Sequence, residues 1–134
     1  METNLKASLI ICTYNREELF VETVQYALKQ NYPNLEIIIV DQTKQHTETT
    51  SNFLKSVNDK INYIFSETPS ITKARNIGIQ NTSGDVIIFI DDDTEFDEYF
   101  VANHVELINK GYDVVGGRVI ENRDAPPAEK PLWL

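Results

Sequence analysis

The stretch "VIIFIDDDTEFDEYF", Val86 to Phe100, decides the fold: five apolar residues run directly into three consecutive aspartates, Asp91, Asp92 and Asp93. A short apolar run that ends abruptly in polar residues reads as a strand buried on both faces, which is the habit of parallel sheets. Adjacent carboxylates repel one another, so bunching them there calls for solvent, a cation or a positive ligand. Beyond the triplet, Asp97 is placed to cap a helix with Phe100, His104, Leu107 and Ile108 on one face and Gly111 at its end.

Working outward, the same unit recurs. "ASLIICTY", Ala7 to Tyr14, reads as a buried strand, and Asn15 is placed to cap a following helix with Glu18 three residues on. Phe20, Val24, Ala27 and Leu28 keep helical spacing until "NYPN" around Pro33. "LEIIIV", Leu35 to Val40, is a second strand ending at Asp41; Phe53, Leu54 and Val57 mark a weaker helix, with the polar "TKQHTETTSN" as surface loop and helix start. "INYIF", Ile61 to Phe65, is a third strand, Ala74, Ile77 and Gly78 belong to a helix after Pro69, and the turn "TSGD" leads back to the opening stretch. "YDVVGGRVI" reads as a fifth strand interrupted by Gly116 and Gly117. Strands and helices that alternate in this way predict an α/β sandwich with a mostly parallel sheet, whose ligands bind beyond the carboxyl ends of the strands.

The 134 residues, 41% of them hydrophobic, suit one domain with a sizeable core, set in residues 1–120. The tail "ENRDAPPAEKPLWL", residues 121–134, is Pro-rich and aperiodic, and its Trp133 calls for a partner. A formal charge of -9 argues against nucleic acid as a partner. The single cysteine, Cys12, excludes an internal disulfide and reads as core, and His46 and His104 offer no zinc-site spacing. No apolar run is long enough to span a membrane, and the start lacks a secretory signal. The expectation is a cytoplasmic protein, at most seated on the cytoplasmic face of a membrane.

Polar residues collect just past the strands: Thr13, Tyr14, Asn15 and Arg16 after the first, Asp41 and Gln42 after the second, Asp91 to Asp93 after the fourth. "SITKARNIG" adds Lys73, Arg75 and Asn76 at a helix start, where backbone amides and the helix dipole favour anions. Aspartates beside cations suit a divalent metal shared with phosphate, with Asp91 and Asp93 as the pair. Each signal also has a plainer explanation. An acidic strand end also serves as a helix cap in a solvated loop, a basic pair as an exposed helix face, and Tyr14 as packing rather than an aromatic platform.

Together "SLIICTYNR", "LEIIIVDQT", "ITKARNIGI", "IIFIDDDTEFD" and "VVGGRV" resemble the nucleotide-sugar-binding half of the family 2 glycosyltransferases. The resemblance implies a GT-A fold, a Rossmann-like three-layer sandwich. It implies a nucleotide pocket lined by Thr13, Tyr14 and Arg16, with Asp41 and Gln42 at the base and Lys73, Arg75 and Asn76 near the diphosphate. "DDD" looks like the family's DXD element: Asp93, with Asp91, would hold Mn²⁺ or Mg²⁺, while Asp91 and Asp92 would contact the ribose or reach the metal through water. The implied donor is a nucleoside-diphosphate sugar, a UDP-sugar being favoured, and the implied chemistry is inverting transfer to a hydroxyl of an unspecified sugar, lipid or protein. Gln42 departs from the family, which often has a second aspartate there. The family's general base lies downstream of the DXD element in an acceptor-binding half, and no acid here matches it; Glu95, Asp97 and Glu121 match by chemistry alone. Residues 1–120 are thus expected to be a partial donor domain and 121–134 a tail leading to a missing half. The alternative is a catalytically inactive nucleotide-sugar-binding module. A receiver domain has a similar length and class but needs acids after its first strand, where this chain has "CTYNR".

Overall fold

The computed structural model describes residues 4–120. Four βα units follow one another: β1 (Ala7–Thr13), α1 (Glu18–Leu28), β2 (Leu35–Asp41), α2 (Glu48–Ser56), β3 (Asn62–Phe65), α3 (Ile71–Gln80), β4 (Val86–Asp91) and α4 (Phe100–Asn109). The strands form one parallel sheet in the order β3-β2-β1-β4. β1 and β2, the most continuously apolar segments, take the centre, where both faces are covered.

One face packs Leu9, Ile11, Ile37, Ile39, Ile88 and Ile90 against Phe20 and Val24 of α1 and Val101 and Val105 of α4. The other packs Ile10, Ile38 and Val40 against Ala74 of α3. Here Gly78 lets the helix sit close, since a Cβ at that position would fall 2.7 Å from the Ile10 Cγ2. α3 rests on β1 and β2 and leaves that face of β4 only partly covered. The opening stretch is therefore buried on one face only: Val86, Ile88 and Ile90 point inward, while Ile87 and Phe89 are 41% and 43% exposed. A continuous apolar run had suggested burial on both faces; β4 lies at the sheet edge, where the covering layer ends.

Four further expectations are corrected. Residues 112–120 form no strand, and Val114, Val119 and Ile120 are more than four-fifths exposed. Apolar alternation makes a strand only where a neighbouring backbone pairs with it, and the two glycines weaken that preference. Asn15 does not cap α1: it sits in the left-handed region at φ 54°, its N–H donates to the Thr43 Oγ1, and the helix begins at Glu18. The buried stripe of α4 is Val101 and Val105, one step around from the face expected. Asp97 is not the cap of α4, whose N-cap is Tyr99 with no side-chain cap bond, and instead accepts from the Tyr99 N–H in the turn before it; Gly111, at φ 105°, ends the helix as expected with Gly111 N–H to Ile108 and Tyr112 N–H to Leu107, a Schellman pattern. The 121–134 tail, with Trp133 and Glu121, lies outside the described residues. Among the described residues no helix is long and apolar enough to cross a membrane.

Candidate functional site

A cleft of about 490 Å³ opens at the carboxyl edge of β1 and β4. Thr13, Tyr14 and Arg16 reach it from the loop after β1, Gln42 from the end of β2, Pro69, Ser70 and Ile71 from the start of α3, and Asp91, Asp92 and Asp93 from the end of β4. Residues scattered over eighty positions meet because parallel strands all deliver their next loop to the same edge.

Within it the aspartates are unequal. Asp92 is the most enclosed, accepting from the Thr13 hydroxyl at 2.8 Å and pairing with the Arg16 Nε at 3.2 Å. Asp93 lies 3.9 Å from the Arg16 Nη2 with its side chain 47% exposed, and Asp91 is exposed beside Cys12. The repulsion among the three is thus met by one guanidinium, one hydroxyl and water. Exposed carboxylate oxygens are hard donors suited to Mg²⁺ or Mn²⁺, which take one or two carboxylates and fill the remaining positions with water and phosphate. Among the described residues no group of three or more His, Cys, Asp or Glu is gathered that could hold a metal ion by itself.

Other expected residues fall elsewhere. Asp41 is fully buried and absent from the cleft lining: its Oδ1 accepts from the Thr43 N–H at 2.9 Å, and its Oδ2 takes the Tyr63 hydroxyl at 2.6 Å and the His46 Nε2 at 2.5 Å. Gln42 borders the cleft, but its amide is engaged with the loop before α3, donating to the Thr68 and Ser70 carbonyls and accepting from the Ser70 N–H. Gln42 therefore fixes the start of α3, whose first N–H groups Ser70 caps through the Lys73 N–H. Lys73, Arg75 and Asn76 are exposed on α3 outside the cleft lining, although the Arg75 charge is felt at Cys12.

Cys12, read as core, packs half-buried against the Ile10 and Val40 cluster and also lines the cleft; burial pushes its thiol up, opposed by Arg75. A two-residue side-chain period in β1 places it on the α3 face with Asp91, its register partner. The polar cluster of Glu17, His46 and Tyr63 around Asp41 was not anticipated at all, because "TKQHTETTSN" looks like solvated loop.

A parallel α/β sandwich with acids and a guanidinium in a cleft beyond its central strands belongs to the class of domains that take a ligand at the strand ends. Within that class the chain is a member of glycosyl transferase family 2, whose model matches residues 8–133. It is 31% identical over 121 residues to the glucosyl-dolichyl phosphate glucuronosyltransferase of Haloferax volcanii, covering 87% of this chain and 39% of that protein. It is 27% identical over 124 residues to the GalNAc(5)-diNAcBac-PP-undecaprenol beta-1,3-glucosyltransferase of Campylobacter jejuni, covering 89% and 40%. The chain thus spans about two fifths of the length of these curated relatives. Among solved structures, S. aureus TarS 1-349 superposes with a TM-score of 0.66 at 25% identity, over 87% of this chain and 38% of that one. The same protein has been solved with UDP-GlcNAc, at a TM-score of 0.65. The mannosyltransferase PcManGT of Pyrobaculum calidifontis, at 22% identity and a TM-score of 0.64 over 76% of this chain and 32% of that one, shares the GT-A fold.

Proposed function

We propose that the chain is the donor-binding part of a glycosyltransferase, holding a nucleoside-diphosphate sugar in the cleft beyond β1 and β4 for inverting transfer to an acceptor hydroxyl. One observation carries this reading: Tyr14, Arg16, the start of α3 and the aspartate triplet converge on a single cleft. Their chemistry matches the parts of such a ligand. The half-exposed Tyr14 ring offers an aromatic face to a base, and Arg16 and the α3 N-terminus offer positive ends to the diphosphate. TarS, which binds UDP-GlcNAc, supports a UDP-sugar as the donor.

Asp93, with Asp91, would hold Mn²⁺ or Mg²⁺, and Asp92, tied to Thr13 and Arg16, would orient the pair. A divalent cation bound there would neutralise charge developing on the leaving diphosphate. Asp41 and Gln42 serve this site through the loops they fix rather than by touching the base, a change from the expectation. Lys73, Arg75 and Asn76 are assigned to a diphosphate that extends past the cleft along α3.

The acceptor hydroxyl must lose a proton as it attacks the anomeric carbon, and a carboxylate is the usual base. Glu95 and Asp97 do not line the cleft. We place the base and the acceptor site in sequence beyond this span, so that the 134 residues bind donor and transfer sugar slowly or not at all. Calorimetry with UDP and Mn²⁺ tests the binding: metal-dependent heat supports it, and none at millimolar ligand overturns it. Rapid transfer by the chain alone would overturn the placement of the base. A catalytically silent binding module is the alternative, favoured if the longer protein binds donor without turnover.

A further inference from the structure

Behind the cleft, on the opposite face of the sheet, lies the cluster around His46. Its Nδ1 is 2.9 Å from the Glu17 Oε2 and its Nε2 is 2.5 Å from the Asp41 Oδ2, with the side chain only 6% exposed. Ionised carboxylates accept hydrogen bonds and donate none. A neutral imidazole has one bare nitrogen, which would then face an oxygen lone pair, so only the doubly protonated ring satisfies both contacts. Phe20 stacks on the ring at 5.9 Å between centroids, and Tyr63 shares the Asp41 Oδ2.

Those contacts lead to Arg16. Its neighbour on one side, Asn15, donates its N–H to the Thr43 Oγ1; its neighbour on the other, Glu17, takes His46 and, at 3.2 Å, the Thr47 N–H. Arg16 is thus the middle of three residues whose flanks are both bonded to the loop between β2 and α2. With Asn15 in the left-handed region, the chain turns so that the guanidinium faces Asp92 and Asp93.

We propose that His46, as a doubly donating imidazolium, is a positioning residue that holds Arg16 against the aspartates, so that the donor cleft is set for an anionic ligand only while His46 is charged. The ligand part of this proposal rests on the donor-site reading; the linkage of His46 to Arg16 does not.

The charged and titratable groups facing His46 are Asp41 at the end of β2, Glu17 ahead of α1 and, through Asp41, Tyr63 of β3; α2 contributes the Thr50 hydroxyl, which bonds to Glu17. Lys44 and Lys55 border the groove alongside. Burial works against a charge on His46, but its bonds to Asp41 and Glu17 and their charges outweigh it and raise the imidazole above 6.5. Glu17 is the mirror case: burial would raise it, yet the bonds from Thr50, His46 and Thr47 hold it below 4.5. A raised imidazole contributes in full below 6.5 and is lost as pH climbs through its folded value; a depressed carboxylate contributes in full above 4.5 and is lost as pH falls through its own. Both contributions are complete between those two values, and the alkaline limb belongs to His46.

NMR titration of the whole chain tests the linkage, with His104→Gln separating the two imidazole signals. The expected result is a His46 midpoint above 6.5 and an Arg16 Nε–H shift that moves with the same midpoint. A midpoint at or below 6.5, or an Arg16 signal indifferent to it, overturns the proposal. Calorimetry with UDP and Mn²⁺ should show wild-type affinity falling on the alkaline side, and His46→Gln weaker by roughly tenfold and flat with pH. A variant that keeps the wild-type pH profile overturns the role. If His46→Gln does not fold, Glu17→Gln replaces it: the His46 midpoint must drop, and an unchanged midpoint counts against the proposal. If the wild-type chain binds no UDP at any pH, the donor reading falls, and the two NMR signals still decide the linkage.

Discussion

Asp41 and Asp91 end the two strands that flank β1, at the same edge of the sheet, and they have opposite fates. Asp41 pairs in register with Thr13, and Asp91 with Cys12. That offset of one residue turns their side chains to opposite faces. Asp41 faces the α1 and α2 layer, is fully buried, and spends both oxygens on protein donors. Asp91 lines the cleft and is exposed, as is Asp93 beyond it. An acid at a strand end is therefore buried among protein donors or open to the cleft according to register parity, and residue type alone does not tell which.

The largest expected effect comes from the buried partner. Asp41→Ala leaves His46 and Tyr63 without their acceptor and should cost about 3–5 kcal/mol of stability, the loss typical of breaking a buried ion pair. Urea unfolding measures it, and a cost below about 1 kcal/mol would erase the contrast with the triplet.

Asp93→Ala should do the reverse. Stability should hold, while metal-dependent UDP affinity in calorimetry falls by about a hundredfold, near 2.7 kcal/mol. Affinity that survives would move the metal to another ligand set.

Tyr63→Phe removes one hydrogen bond to the buried carboxylate and should cost about 1.5 kcal/mol in the same unfolding measurement. Smallest is Arg16→Ala, under about 1 kcal/mol in stability, because its side chain is 41% exposed and water takes over its role toward the aspartates. A larger loss would mean that the triplet depends on its counter-ion as heavily as Asp41 depends on His46.

The four strands and four helices were legible because each carries its own signal: an apolar run, a helical period, a Gly or Pro stop. The cleft was legible as well, since the parallel order brings Thr13, Tyr14, Arg16 and Asp91 to Asp93 to one edge whatever the details of packing. What escaped depends on contacts far apart in sequence. Whether β4 is covered on its second face depends on where α3 comes to rest, and whether Val114 and Val119 form a strand depends on a partner outside their own segment. The inward turn of His46 is invisible locally, because its partners are Glu17, 29 residues earlier, and the carboxylate of Asp41. Gln42 borders the cleft as expected of a strand-end residue, but the donation of its amide to the Thr68 and Ser70 carbonyls was not legible, because those partners lie 26 and 28 residues away.

Strand order has a last consequence, in time rather than space. A β1–β2 contact such as Ser8 to Glu36 closes a separation of 28 residues, whereas Thr13 to Asp92, between β1 and the end of β4, closes 79. For a flexible chain the longer closure costs about 0.9 kcal/mol more in entropy, and it is repaid only after the intervening units have docked. On closure entropy alone, the contacts on the Asp41 side are favoured to form before those of the aspartate triplet. A nascent chain halted before β4 would carry Glu17, His46 and Asp41 but neither Asp92 nor Asp93, the aspartates that Arg16 faces.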